Sequence, residues 1–207
     1  MTTLPHLCRR AASAVLIAGF ALAPLGLAAA PLDLTEPVAE DSLPKSKHTK
    51  PGLYITAAEA GRVLEEHDTV ALIDVRTPSE IMLIGYATPT AAAIPAQFVD
   101  PDIGEASKDG TYKMVSNPGF EAEILAWLAS DAAKGIDTLL VTCRSGSRSA
   151  PAIDRMVEAG VDLPLYSVVD GFEGDKNENG VRDVNGWRNA GLPWTYKIRD
   201  GLRPAAN

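Results

Sequence analysis

Residues 138–149 constrain the fold of this chain more than any other stretch. Leu139-Leu140-Val141-Thr142 is an apolar run that ends abruptly in Cys143, and Arg144-Ser145-Gly146-Ser147-Arg148 follows as a tight loop of small residues flanked by arginines. A helix begins where the loop ends, near Ala150, with Pro151 tolerated in its first turn and Gly160 closing it. An apolar strand feeding through a short loop into a helix is a building unit of layered α/β proteins. Val70-Ala71-Leu72-Ile73-Asp74-Val75 is a second continuous apolar run, as expected of a strand covered on both faces of a parallel sheet, and Tyr166-Ser167-Val168-Val169 supplies a third.

The remaining elements fit the same alternation. Leu53-Tyr54-Ile55 reads as a short strand, and Thr56-Ala57-Ala58-Glu59 has the spacing of a capping box that opens a helix through Glu66. A helix is expected from Phe120 to Ala133, with Ile124, Leu125, Trp127 and Leu128 on its buried face. Residues 84–119 are rich in Gly, Pro and Ala and read as a long irregular crossing with a short strand near Ala93-Ile94. The expected fold class is α/β, three layers deep, with a central, mainly parallel sheet flanked by helices.

The two ends stand apart from this pattern. Arg9 and Arg10 precede an almost wholly apolar stretch from Ala11 to Leu27, and Gly26-Leu27-Ala28-Ala29-Ala30 offers small residues for a signal peptidase. The apolar stretch is shorter than the ~20 residues a spanning helix needs, so 1–30 is expected to be a cleaved signal peptide rather than an anchor. Residues 31–51 read as an extended leader, 52–197 as one domain and 198–207 as a tail. The expected location is periplasmic or secreted, without stable membrane insertion of the mature chain.

Export changes the charge and the thiol count. With Arg9 and Arg10 gone, the chain's 19 Lys and Arg fall to 17 against 27 Asp and Glu, a net charge of about −10. Such an acidic chain argues against nucleic acid as a partner. Cys8 goes with the signal peptide, leaving Cys143 as a lone thiol in a compartment where an unpaired thiol is a liability. A cysteine kept under those conditions points to chemistry.

The loop around Cys143 suits that purpose. Ser145, Gly146 and Ser147 let the backbone curl so that successive N–H groups aim at a common centre, and the start of the next helix adds its positive end. Arg144 and Arg148 could hold an oxyanion, Arg148 through two parallel hydrogen bonds. His48 and His67 adjoin no motif that would make either the base of a cysteine hydrolase.

Three segments in order carry a family resemblance: Leu72-Ile73-Asp74-Val75-Arg76-Thr77-Pro78-Ser79-Glu80, then Cys143 to Ser149, then Asp170-Gly171-Phe172-Glu173-Gly174 with Gly186-Trp187-Arg188-Asn189-Ala190-Gly191-Leu192-Pro193. The chain resembles the rhodanese-like sulfurtransferases over residues 53–194. The resemblance implies that Cys143 takes a sulfur atom from a small sulfur-containing anion such as thiosulfate and hands it, as a persulfide, to a thiol or protein acceptor. It further implies that the persulfide sits among Arg144, Ser145, Gly146, Ser147 and Arg148, and that Asp74, Arg76 and Ser149 support the loop. No cofactor is implied. Gly85-Tyr86-Ala87-Thr88-Pro89-Thr90-Ala91 stands where the family usually has a histidine-containing segment, and Asp175 to Asn185 is an insertion.

Alternatives remain at this level. A persulfide carrier, or a partner-binding module of the same fold, would have the same sequence features. A cysteine-dependent phosphatase or arsenate reductase uses a similar loop, but the phosphatase loop has five residues between cysteine and arginine, where four separate Cys143 from Arg148 here. Within the insertion, Asp175, Asn177, Asn179 and Asp183 have the spacing of a calcium loop, but Gly186 stands where the closing glutamate belongs. The main expectation is therefore an Asn/Gly turn and no metal, with calcium as the alternative.

Overall fold

The computed structural model describes Met1 and residues 32–104, 106–108 and 110–202. Apart from Met1, the expected signal segment lies outside the described residues. In chain order the elements are β1 (Tyr54–Ile55), α1 (Ala57–Glu66), β2 (Val70–Asp74), α2 (Pro78–Ile84), β3 (Tyr86–Ala87), β4 (Thr90–Ala93), β5 (Gln97–Val99), β6 (Met114–Ser116), α3 (Phe120–Leu128), β7 (Thr138–Thr142), α4 (Ser149–Glu158), β8 (Leu165–Val168) and β9 (Trp194–Thr195).

Five strands form one sheet in the order β1-β8-β7-β2-β4, and every pairing in it is parallel. The register places Asp74 opposite Thr142, so β2 and β7 end together. Side-chain alternation along these strands divides the core between two layers of helices. Ala71, Ile73, Leu139 and Val141 pack with Phe120 and Ile124 of α3 and with Ile153 and Met156 of α4. Val70, Leu72 and Leu140 face the other way and pack with Ala57, Ala60 and Val63 of α1. That is the three-layer α/β architecture expected from the continuous apolar runs. Because β7 lies between β2 and β8 with both faces covered, every one of its residues is buried.

Local differences from the sequence reading have physical causes. Thr56 caps α1 by accepting from the Glu59 N–H (3.2 Å), but the Glu59 carboxylate does not close the box. It turns instead to the segment that precedes β1, accepting from Thr35 N–H (2.6 Å) and Thr35 hydroxyl (2.9 Å). A complete capping box forms at α2, where Thr77 and Glu80 bond reciprocally and Pro78 takes the first turn. The helix expected to reach Ala133 stops at Leu128, where the Ser130 hydroxyl takes the Trp127 carbonyl (2.6 Å), and a 3-10 turn covers Asp131–Ala133. The stretch expected to be irregular holds β3 to β6 besides α2's last residue, with β4 closing one edge of the main sheet.

Residues 32–51 run over the domain as a strap with two 3-10 turns. The Leu32 N–H donates to the Tyr166 hydroxyl (2.9 Å), Tyr54 donates to Glu40 (2.5 Å) and the Lys50 N–H donates to Asp154 (2.7 Å). At the other end Ile198 and Leu202 pack on Ile81 and Tyr86 beside α2. Among the described residues no helix is long and apolar enough to cross a membrane.

Candidate active site

From β2 the chain steps to β4 on one side and later returns to β7 on the other. The carboxyl ends of β2 and β7 thus lie where the strand order reverses, the usual place for a ligand crevice in an open α/β sheet. Asp74 ends β2 and Cys143 follows the end of β7. Val75 N–H donates to the Thr142 carbonyl (2.9 Å), which holds the two strand ends in register.

Beyond Thr142 the backbone curls as the small residues dictate. The Gly146 N–H points at Cys143 Sγ from 3.2 Å and the Arg148 N–H from 3.4 Å. Gly146 has φ +91°, and a Cβ there would lie 2.1 Å from the Val169 carbonyl oxygen, so only glycine fits. Ser149 opens α4 and locks the curl, its hydroxyl donating to the Gly146 carbonyl (2.9 Å) and meeting Ser167 Oγ at 3.2 Å. A second turn backs the loop: Phe172 N–H donates to the Cys143 carbonyl (2.8 Å) and Glu173 N–H to the Arg144 carbonyl (2.9 Å). Gly171 at φ +63° permits that approach, since a Cβ would come within 2.7 Å of the loop backbone. Asp170 joins this turn to the rest of the fold by accepting from Ala57 N–H (2.7 Å) and Gly186 N–H (2.9 Å).

The site residues expected from sequence are therefore together, but the arginine side chains are engaged. Arg148 grips Glu80 through both terminal nitrogens (2.8 and 2.5 Å), and its backbone N–H, not its guanidinium, addresses the sulfur. Arg144 is half exposed and donates through Nε to Glu173 (2.7 Å). Asp74 and Arg76 have no exposed surface and form a pair with four hydrogen bonds of 2.6–3.1 Å, the Arg76 backbone N–H included. The Arg76 guanidinium also lies 4.2 Å from the centre of the Phe172 ring, which connects this pair to the turn behind Cys143. Cys143 is a free, fully buried thiol.

Glu80 and Glu173 went unassigned in the sequence, although Thr77-Pro78-Ser79-Glu80 carries a helix-start signal that could have placed the first of them. Burial works against the Glu80 charge, but hydrogen bonds and charge from Arg148, with the Thr77 N–H, outweigh it and hold the carboxyl at about 2, below its ordinary 4.5. A folded-state value below the unfolded one stabilises the fold above the unfolded value and is lost as pH falls through the folded one. Urea unfolding of the wild type and Glu80→Gln is expected to differ by on the order of 2–3 kcal/mol near pH 7 and by roughly half that or less at pH 3. A difference that does not change with pH would contradict this assignment.

The calcium-spaced residues of the insertion bond to one another and to neighbouring groups. Asn177 Oδ1 accepts the N–H groups of Asn179 (2.9 Å) and Val181 (3.0 Å), and its amide donates to Asp183 (2.9 Å). Asp175 accepts from Lys47 (3.2 Å) and from Asn185 (3.1 Å). The segment is a closed Asn/Gly turn, and among the described residues no group of three or more His, Cys, Asp or Glu side chains is placed to hold a metal.

The site is thus a cysteine-led loop of inward N–H groups at the carboxyl edge of the central strand of a five-stranded parallel sheet. No protein-family model and no curated protein matches the chain. Among solved structures, Rv0390 from M. tuberculosis is 30% identical, the match covering 69% of this chain and 96% of that one with a TM-score of 0.51. A rhodanese-related protein from Thermoplasma volcanium matches at 16% identity, covering 70% and 99% of the two chains, with a TM-score of 0.36. A protein of unknown function from Rhodopseudomonas palustris, named as a possible tyrosine phosphatase, matches at 19% identity over 69% and 84%, with a TM-score of 0.39. The chain belongs to the rhodanese-like family.

Proposed function

We propose that this protein is an exported sulfurtransferase that moves a sulfane sulfur from a small anionic donor, thiosulfate being the type case, to a thiophilic acceptor. The observation that carries the reading is the pair of backbone N–H groups, from Gly146 and Arg148, fixed on Cys143 Sγ at the head of α4. Donors so placed stabilise negative charge on sulfur without any movement during the reaction.

The chemistry follows from that placement. The Cys143 thiolate attacks the outer sulfur of thiosulfate; the S–S bond of the donor breaks and its electron pair leaves with sulfite. The new terminal sulfur of the Cys143 persulfide carries the negative charge that the loop's N–H groups accommodate. An acceptor nucleophile then attacks that terminal sulfur, and the Cys143 thiolate is restored. Two half-reactions through a covalent enzyme intermediate give ping-pong kinetics.

The test pairs two measurements on the purified protein. After thiosulfate alone, intact-mass spectrometry is expected to find one added sulfur atom on Cys143; after cyanide, that atom is expected in thiocyanate. Absence of both overturns the reading. A persulfide that cyanide does not discharge would favour carriage to a dedicated protein acceptor, and turnover of an aryl phosphate in its place would favour the phosphatase class.

A further inference from the structure

We propose that Arg182, carried by the 175–185 insertion, binds the anionic end of the sulfur donor and makes the site favour a dianion over a monoanion. This rests on the sulfurtransferase reading and gives the insertion a part in it.

The reason begins with the two loop arginines. Arg148 spends both terminal nitrogens on Glu80, and Arg144 spends its Nε on Glu173. Arg182 has no such partner: among the described residues no carboxylate lies within 4.0 Å of its guanidinium. One terminal nitrogen donates to the Gly174 carbonyl (2.5 Å), and Nε is buried without any hydrogen-bond partner. Gly174 in turn donates to the Arg144 carbonyl (3.3 Å), so Arg182 is two contacts from the residue that follows Cys143.

The local charge balance points the same way. Glu173 already faces Arg144 at 2.7 Å and Arg188 at 3.9 Å, and Asp175 is matched by Lys47 at 3.2 Å. Arg144 and Arg188 thus share the Glu173 carboxylate, and Arg182 is left without a carboxylate of its own in this group. Burial pulls the Arg182 pKa below its ordinary value, and the positive charge of Arg144 pulls it further. An anion that reaches both the Arg144 and the Arg182 guanidinium is attracted by each, and a doubly charged one gains most.

The backbone that carries Arg182 is held at several points. It leaves and rejoins the fold at Gly174 and Gly186, which pack so closely that a Cβ on Gly174 would lie 1.8 Å from the Asn185 carbonyl oxygen. Asn189 spans the neck, its amide within 3.2 Å of the carbonyls of Glu173, Arg182 and Asn185. A bridge between Lys176 and Arg182 pairs the two arms of the turn.

Arg182→Gln and Arg182→Lys, compared with the wild type on thiosulfate and on methanethiosulfonate, test this. The two donors surrender the same outer sulfur but carry two charges and one. For Arg182→Gln, KM for thiosulfate is expected to rise roughly tenfold with kcat little changed, and KM for the monoanion by a clearly smaller factor. Arg182→Lys is expected to fall between the wild type and Arg182→Gln. Unchanged KM values in an active Arg182→Gln protein, or equal losses on both donors with a lowered Tm, would overturn the assignment and leave Arg182 as a staple of the insertion. No persulfide in the wild type overturns the sulfurtransferase reading, and this one with it.

Discussion

Cys143→Ser is expected to form no persulfide and to lose at least about a thousandfold in thiocyanate production from thiosulfate and cyanide. A serine hydroxyl occupies nearly the same space and can still accept from the N–H groups of Gly146 and Arg148 that now face Sγ at 3.2 and 3.4 Å. The backbone bonds that shape the loop, among them Phe172 N–H to the Cys143 carbonyl (2.8 Å), do not involve the sulfur. The variant should therefore fold and melt close to the wild type, so that lost activity reports lost nucleophile. A hydroxyl is barely ionised at neutral pH and gives no persulfide, whereas the thiol does both jobs. Appreciable turnover by Cys143→Ser would move the chemistry off this residue altogether.

Asp74→Ala is expected to have the largest effect on stability, about 3–5 kcal/mol in urea unfolding. Arg76 and Asp74 are both fully buried, and the carboxylate receives Nε, Nη2 and the backbone N–H of Arg76. Without it the guanidinium would keep the Gly85 carbonyl (2.9 Å) and the Phe172 ring as neighbours, with its charge uncompensated in a dry interior. The penalty comes from that stranded charge rather than from the pair's intrinsic strength. Asp74→Ala combined with Arg76→Met should therefore recover part of the loss. A loss below about 1 kcal/mol for the single variant would mean that solvent reaches the guanidinium more readily than its burial implies.

How much of this could be read in the sequence depended on how each part is held. Strands β2, β7 and β8 were legible because a strand covered on both faces must be apolar throughout, and Val70 to Ile73 and Leu139 to Val141 are. The cysteine loop was legible because its shape is local: small residues at 145–147 and a helix start at 149 suffice. Helix α2 was not, since Met82 and Leu83 are exposed and break the apolar stripe that marks a packed helix. The strap at 32–51 has no period because it is held by scattered hydrogen bonds to distant partners, such as Leu32 to Tyr166 across 134 positions. The partners of the loop arginines were hidden for the same reason: Glu80 lies 68 positions from Arg148, and Glu173 lies 29 from Arg144. Charge complementarity between such distant residues is decided by the fold, not by spacing.

The complete burial of Cys143 bears on how a lone thiol survives outside the cell, if the protein works there. A sulfur with no surface cannot meet the sulfur of a second copy, so collisions between molecules do not lead to crosslinked dimers. Bulky disulfides would be held off in the same way, and only a small reagent could reach the sulfur. The enclosure thus works as a kinetic sieve. Entry to the sulfur would then be set by the dimensions of what can enter.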